Sequence, residues 1–187
     1  MHKASSLYYR FSRKLCVIAL FFLMTTIIAS ADAALAKEAG MTAKQMQQII
    51  DKVIKIETTT GKYTAHNKKS GAYGRYQIMP KTARAYAKKL HIPYSKWKRP
   101  KNQDRIFHAI LKDNIRSLKR HGIKISAFSI YGTHQQGAGG FHAIMKKKHL
   151  SKKLERNLRH NLPKALSTIP KSRLKHTWIR YWKKKFS

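Results

Sequence analysis

The architecture of this chain follows most directly from residues 46–57, which read MQQIIDKVIKIE. Apolar residues recur there at the i, i+3, i+4, i+7 and i+8 spacing that forms one face of an amphipathic helix. The apolar stripe consists of Met46, Ile49, Ile50, Val53 and Ile54. We therefore expect a helix from about Thr42 to Thr58 with this stripe buried.

Glu57 lies at the end of the same helix, in the middle of its apolar face. The position follows from the rotation of about 100° per residue in an α-helix. A carboxylate on the core face loses hydration, which favours its neutral form and raises its pKa. An acid that is protonated near neutral pH can donate a proton in catalysis. Glu57 is therefore a candidate general acid; the alternative is a helix-end glutamate that bends out to solvent or pairs with a lysine.

Two polar, glycine-rich segments follow the helix. Residues 71–80 read GAYGRYQIMP, where Gly74 allows close backbone approach and Gln77 can both donate and accept hydrogen bonds. Residues 131–141 read YGTHQQGAGGF and predict a second turn of similar chemistry. Amide groups, aromatic rings and glycines suit a sugar, so we expect both segments to border one cleft with Glu57.

The rest of the chain also follows the helical period, and alternation of β-branched residues is scarce. The sequence therefore predicts an all-α fold. We expect a second helix from Pro80, a third from about Gln103 to His121 with Gly122 as its stop, an apolar segment at Ile125 to Tyr131, a helical segment at Phe141 to Lys148, and a last helix from about Lys171 to Lys185.

The N-terminal residues have the pattern of a secretory signal peptide. A basic stretch precedes the uncharged run from Leu15 to Ser30, and small residues follow it. We predict a signal peptide at residues 1–36, cleaved near Ala33 or Ala36, and one domain at residues 37–187. The expected location is periplasmic or secreted; an uncleaved membrane anchor is the alternative.

The composition is strongly basic, with 41 Lys and Arg against 7 Asp and Glu and a net charge of +34. Such an imbalance favours an anionic partner. An exported chain meets cell-wall polymers and lipid headgroups, so we expect no specific nucleic acid and only transient membrane contact through the signal peptide. Three competing functions remain open: a cationic protein that disrupts or coats membranes, a nucleic-acid-binding protein, and a wall-binding module without catalysis.

Three motifs in order resemble the soluble lytic transglycosylase domain, the goose-type-lysozyme-like family that cleaves peptidoglycan. Its apolar helix ending in the catalytic Glu is matched by residues 53–57, VIKIE. Its Gly-x-x-Gln-Ile-x-Pro signature, followed by Thr-Ala, is matched by residues 74–83, GRYQIMPKTA. Its third motif resembles residues 133–139, THQQGAG, in a His-Gln-Gln-Gly version. Thr58 replaces the usual Ser after the Glu, and Arg75-Tyr76 replace the usual Leu-Met.

The resemblance implies a lysozyme-like helical domain with Glu57 as its single catalytic acid. Glu57 would protonate the glycosidic oxygen between N-acetylmuramic acid and N-acetylglucosamine and then accept the C6 hydroxyl proton, leaving a 1,6-anhydro end. A muramidase-type hydrolase on the same fold is the alternative outcome. We expect no cofactor, and no metal either, because His121, His134 and His142 have no i, i+4 partner or nearby carboxylate that would complete a ligand set.

Substrate-binding residues are expected in the two glycine-rich segments. We hypothesise that the two amides hold acetamido and hydroxyl groups of the sugar, that the rings line its faces, and that a glycine allows the close approach. These residues are Gln77 and Gln135, Tyr76, Tyr131 and His134, and Gly74. Expected partners are peptidoglycan strands, anionic wall or envelope polymers, and a secretion or pilus assembly if the protein serves one.

Overall fold

A computed structural model of the protein describes residues 31–58 and 60–186. The predicted basic and apolar parts of the signal peptide, residues 1–30, lie outside the described residues. The chain divides into two compact units, residues 1–47 and residues 48–187, which are described separately. Within the described residues, no helix combines the length and apolarity that a membrane crossing needs.

In the first unit, helix α1 covers residues 31–39 and a turn at Gly40 follows it. Thr42 and Gln45 then form a reciprocal cap: the Thr42 N–H donates to Gln45 Oε1 at 2.9 Å, and the Gln45 N–H donates to Thr42 Oγ1 at 3.2 Å. Such a capping box satisfies two free N–H groups and begins a helix. Helix α2, Ala43–Glu57, begins directly after Thr42.

The expected apolar stripe of α2 is confirmed, because all five of its side chains are buried. The helix spans Ala43–Glu57 against the predicted range of about Thr42 to Thr58. Glu57 is therefore its last helical residue, at the end of a buried face.

The all-α prediction is also confirmed, since the described residues contain helices and two isolated bridges but no strand. A short 3₁₀ helix at Tyr94–Lys96 separates α3 from α4. The remaining helices are α3 at Pro80–Lys89, α4 at Pro100–Arg120, α5 at Ala127–Lys146, α6 at Lys152–His160, α7 at Lys164–Ser167 and α8 at Lys171–Lys185.

Proline and glycine residues fix several helix boundaries. Pro80 begins α3 as expected, and α4 begins at Pro100, three residues before its predicted start, because proline suits the first helical turn. Gly122 ends α4 with φ of +57°, a conformation that favours glycine.

Helix α5 differs from the prediction of a turn at residues 131–141. Ser126 and Ser129 cap its start reciprocally, and residues 131–136 continue the helix. Only Gly137 departs from helical geometry, with φ of 72° and ψ of 159°. Gly137 therefore kinks one helix in place of the expected turn, and the polar residues before the kink are helical.

Three helices follow α5 in the described part of the chain, and only the last of them was predicted. Helix α6 escaped the sequence pattern because its apolar face consists of little more than Leu154 and Leu158. Helix α8 has the predicted bounds and buries Trp178 and Trp182. A salt bridge links the two helices: Lys171 Nζ of α8 lies 2.8 Å from Glu155 Oε1 of α6.

Candidate active site

Glu57 is largely withdrawn from solvent, with 20% of its side chain exposed. Burial raises its pKa from 4.5 to about 7, and the Tyr131 side chain opposes part of this rise. The desolvation expected from its place on the helix is thus confirmed. A carboxyl group with this pKa is partly protonated at neutral pH, so it can donate a proton and later accept one.

A cavity of about 550 Å³ opens at Glu57, a volume within the usual range of small-molecule sites. Five of the seven residues selected from the sequence line it, whereas Gly74 and Tyr76 do not. The five are Glu57, Gln77, Tyr131, His134 and Gln135. The structure thus brings the helix end and parts of both glycine-rich segments to one place.

Glu57 is the only acidic side chain that lines this cavity in the described part of the chain. Asp104, Asp113 and Glu155 lie elsewhere, where tyrosine or lysine side chains hold them. A glycosidase with two catalytic carboxylates places both beside the scissile bond. The cavity therefore suits a mechanism with one carboxyl group.

Gly74 packs against α4. Its φ is +84°, and a Cβ atom there would lie 1.8 Å from Gln103 Oε1. Gln103 is fully buried; its Oε1 accepts from the Arg75 N–H at 3.2 Å, and its Nε2 donates to the Tyr63 carbonyl at 3.0 Å. The absence of a side chain at Gly74 therefore allows the buried Gln103 amide to approach the glycine loop, residues 71–79, and to hydrogen-bond its backbone at Arg75.

Tyr76 belongs to the core behind the same loop. Its ring stacks on Phe107 at 3.9 Å, and its hydroxyl donates to Asp104 Oδ1 at 2.8 Å. Both the ring and the hydroxyl of Tyr76 therefore have partners in the core. The prediction that this ring lines the sugar site is wrong, because Tyr76 does not line the cavity. Tyr76 thus supports the glycine loop from behind. The Phe107 ring on which it stacks also contacts the His134 ring edge-on, at 5.6 Å between ring centres.

Gln77 lies in the cavity wall in an uncommon backbone conformation, with φ of 46°. Paired backbone hydrogen bonds between Tyr73 and Ile78, at 3.0 and 3.1 Å, close the turn around it. Its Nε2 donates to the Gly74 carbonyl at 2.9 Å. A left-handed residue other than glycine costs about 1–2 kcal/mol, so the surrounding contacts hold the Gln77 amide in place.

Tyr131 is buried and lines the cavity together with Glu57. Its hydroxyl oxygen accepts from Gln135 Nε2 at 2.8 Å. Gln135 Oε1 in turn accepts from Gln136 Nε2 at 3.1 Å. Both ends of the Gln135 amide are thus engaged within α5, although we expected this amide to hold a sugar.

His134 faces Glu57, with 3.8 Å between its Nε2 and Glu57 Oε1. Burial lowers the pKa of His134 to about 4, and a backbone hydrogen bond to Tyr76 acts in the opposite direction. The imidazole is therefore neutral when Glu57 titrates, and the contact is longer than a hydrogen bond. A neutral ring next to the acid contributes polarity to the cavity without an ion pair that would hold Glu57 ionised.

The far wall of the cavity comes from the C-terminal residues, which the sequence did not connect with the site. Residues 160–163, Tyr181 and Trp182 line it. Trp182 donates from Nε1 to the Asn161 carbonyl at 3.2 Å, which ties α8 to the end of α6. The ring of Tyr131 packs against Trp182 at 4.8 Å and against Phe186 at 4.6 Å.

Other lining residues also escaped the sequence, among them Asn67 and Ser70 before the glycine loop. Their only signal was their place in a polar segment between two motifs. Within the described residues no group of three or more His, Cys, Asp and Glu side chains could hold a metal ion.

Residues 34–159 match the family model described as the Transglycosylase SLT domain. The match covers more than half of the chain, so this protein belongs to that family, and the predicted resemblance to the family is confirmed. The family is lysozyme-like and helical, and it implies a peptidoglycan substrate and cleavage of the lytic transglycosylase type. Searches of curated proteins and of solved structures gave no match. The C-terminal wall of the cavity lies beyond the matched range.

Glu57→Gln is expected to stabilise the fold at pH 8 and to leave it almost unchanged at pH 4. The folded-state pKa of about 7 exceeds the ordinary value of 4.5, so stability falls as the pH rises between these values and then stays level. The difference corresponds to a gain on the order of 3 kcal/mol for the amide at pH 8. Urea unfolding of both proteins at the two pH values measures it; an equal difference at pH 4 and pH 8 contradicts the desolvation of Glu57.

Proposed function

We propose that this protein is a lytic transglycosylase that cuts the β-1,4 bond between N-acetylmuramic acid and N-acetylglucosamine and leaves a 1,6-anhydro end. The observation that carries the proposal is Glu57, the one acidic side chain that lines the cavity among the described residues, with its pKa near 7. One carboxyl group in this state suits a reaction that needs an acid first and a base afterwards.

In the first step Glu57 protonates the glycosidic oxygen, and the N-acetylglucosamine side of the strand departs as an alcohol. The acetamido carbonyl of the muramoyl residue stabilises the anomeric carbon, which is a recognised exception to the two-carboxylate scheme. In the second step the Glu57 carboxylate accepts the C6 hydroxyl proton while O6 bonds to C1. The acid is then restored, and no water is consumed.

The remaining cavity residues have roles that follow from their contacts. The Tyr131 side chain lowers the pKa of Glu57 against the effect of burial and so supports the ionised state between the two steps. Gln77 is held by the glycine loop at the cavity and is a hydrogen-bonding group for the acetamido or hydroxyl groups of the sugar. The neutral His134 ring lines the sugar binding site. Gly74 and Tyr76 act on the substrate indirectly, by supporting the glycine loop.

Mass spectrometry of the fragments released from purified sacculi tests this proposal. Muropeptides with 1,6-anhydro ends are the expected products. Reducing ends would instead define a muramidase-type hydrolase that uses water in place of O6. The absence of fragments, together with retained sacculus binding, would leave a wall-binding module without catalysis.

The proposed site of action is the periplasm or the cell exterior. Residues 1–36 have the basic, apolar and small-residue order of a signal peptide, and peptidoglycan lies outside the cytoplasmic membrane. Export also gives the large excess of Lys and Arg a function, since anionic wall and envelope polymers attract a basic protein and lengthen its stay near the glycan.

Sacculus binding is expected to weaken as salt is added, because screening shortens the range of charge attraction from about 10 Å at 0.1 M to about 3 Å at 1 M. Co-sedimentation of the Glu57→Gln variant with sacculi across this salt range measures binding without cleavage. A bound fraction that stays constant with salt would show that the basic surface does not retain the protein on the wall.

A further inference from the structure

A second cavity, of about 520 Å³, adjoins the one at Glu57. The two cavities share three lining residues, Thr82, Ile110 and His134. The rest of the second wall comes from α3, from the C-terminal half of α4 and from the kink of α5. A substituent of a sugar bound beside Glu57 therefore has a cavity next to it, which the proposed reaction itself does not use.

The α4 side of the second cavity has buried polar residues on an otherwise apolar face. Asn114 and Ser117 are only 7% and 6% exposed, and their neighbours Leu111, Ile115 and Leu118 on the same helix are buried as well. Asn114 Nδ2 is buried and has no hydrogen-bond partner among the described residues. A buried amide without a partner destabilises a fold, and a leucine of similar size would avoid this penalty. A ligand that pairs with the amide accounts for its presence.

The unpaired amide indicates the chemical class of that ligand. A peptide group offers one N–H donor and one C=O acceptor, and an asparagine side chain offers both as well. Either orientation of the Asn114 amide can therefore pair with a peptide group.

The charges around the second cavity favour an acidic peptide. Asp113 is already paired within the protein, since its Oδ2 lies 2.6 Å from Lys89 Nζ and accepts from the Tyr86 hydroxyl at 2.9 Å. Arg120 lies at the exposed end of α4 and forms no salt bridge in the part of the chain that the structure describes. A guanidinium group binds carboxylates well, often through two parallel hydrogen bonds.

The kink of α5 leaves room on the opposite side. Gly137 lines the second cavity with φ of 72°, and a Cβ atom at this position would meet nothing within 4 Å. Glycine allows another backbone to approach closely. The kink, which replaces the turn expected from the sequence, thus opens space for an extended peptide beside Asn114.

We infer that the second cavity binds the acidic stem peptide that muramoyl residues of peptidoglycan carry, with Asn114 pairing to a peptide group and Arg120 to a stem carboxylate. The stem is joined to the same sugar whose anomeric bond is cut, and the two cavities share part of their wall. The inference rests on the proposed function, which places that sugar at Glu57. It adds the peptide to the glycan as a part of the substrate that the protein recognises.

Two substrates test the inference: glycan strands with their stem peptides, and the same strands after an amidase has removed the stems. The wild type is expected to have a KM about tenfold lower for the stem-bearing strands, the effect of one hydrogen bond to a charged group. Arg120→Ala is expected to reduce this KM ratio about three- to tenfold, since solvent weakens the bond at an exposed position. Asn114→Leu should also reduce the ratio without lowering the free energy of unfolding, because it fills the same space and removes the unpaired amide. The exposed Arg120 keeps the test valid if the leucine variant does not fold.

The matched control is Arg156→Ala, which removes the same charge from an exposed position of α6 that lines neither cavity. It should keep the wild-type KM ratio. Equal KM values for the two substrates in the wild type, or an unchanged ratio in the Arg120 variant, would mean a cavity that holds water only and would overturn the inference.

A binding measurement separates this inference from the proposed function. The side-chain amide signal of Asn114 in ¹⁵N NMR spectra is expected to shift when a soluble muramoyl peptide is added and to stay in place with N-acetylmuramic acid alone. The same shift in a protein that releases no glycan fragments would support the inference and refute the proposed function. Glycan release by a protein whose Asn114 signal does not respond to the muramoyl peptide would do the opposite.

Discussion

Gly74→Ala is expected to lower the free energy of unfolding by about 3 kcal/mol and to disable the site with it. The new Cβ atom would lie 1.8 Å from Gln103 Oε1, and alanine would also have to adopt φ of +84°. Overpacking a filled interior costs about 1–3 kcal/mol, and the left-handed backbone adds about 1–2 kcal/mol for a residue with a Cβ atom. Urea unfolding of the variant and of the wild type gives the difference directly.

Gly122→Ala separates the two contributions. Gly122 has φ of +57°, and a Cβ atom there would meet nothing within 4 Å. Only the backbone cost applies, so a loss of about 1 kcal/mol with normal glycan cleavage is expected. Equal losses at the two positions would show that the contact of Gly74 with Gln103 does not hold the glycine loop.

Glu57→Gln is expected to reduce glycan cleavage by about 10²–10⁴-fold, the usual contribution of a general acid or base. The amide keeps the shape of the side chain but cannot transfer its proton to the glycosidic oxygen. The same substitution is expected to stabilise the fold at pH 8, so loss of activity cannot be attributed to unfolding. Asp51→Asn, on the exposed side of α2, is the matched control and should cleave normally.

The helices with a strong apolar period were predictable from the sequence. Helices α2, α4 and α8 each present a stripe of large apolar or aromatic residues, and the structure places them close to their predicted ranges. Helix α6 was not predicted, because two leucines among basic residues give a weak signal until α8 packs against them. The glycines of α5 were wrongly interpreted as a turn, since sequence alone does not show that the serine cap and the packing of Phe141 against Gly132 favour a helix.

The candidate site was predictable where a residue type and its place on a helix together determine the chemistry. Glu57 is such a case, because the apolar stripe that precedes it predicts its burial. Gly74 and Tyr76 were selected from the same motif as Gln77, yet the tight turn directs only Gln77 to the cavity. Which side of a short loop faces the core depends on its partners, here the buried Gln103 and Phe107 of α4.

The C-terminal wall of the cavity could not be predicted from the sequence, for a different reason. Trp182 lies in the last predicted helix, but its contact with Tyr131 joins residues about fifty positions apart. Such a contact follows from the packing of α8 against α5. The consequence is functional, since the tyrosine that α8 supports lines the cavity together with Glu57.

The most direct test of the account is the initial rate at which anhydro-muropeptides appear when wild-type protein and Glu57→Gln act on the same sacculi near pH 6. The account predicts steady release by the wild type and by Asp51→Asn, and release at least about 100 times slower by the folded Glu57→Gln variant. Release by that variant at the wild-type rate would contradict the assignment of Glu57 as the proton donor.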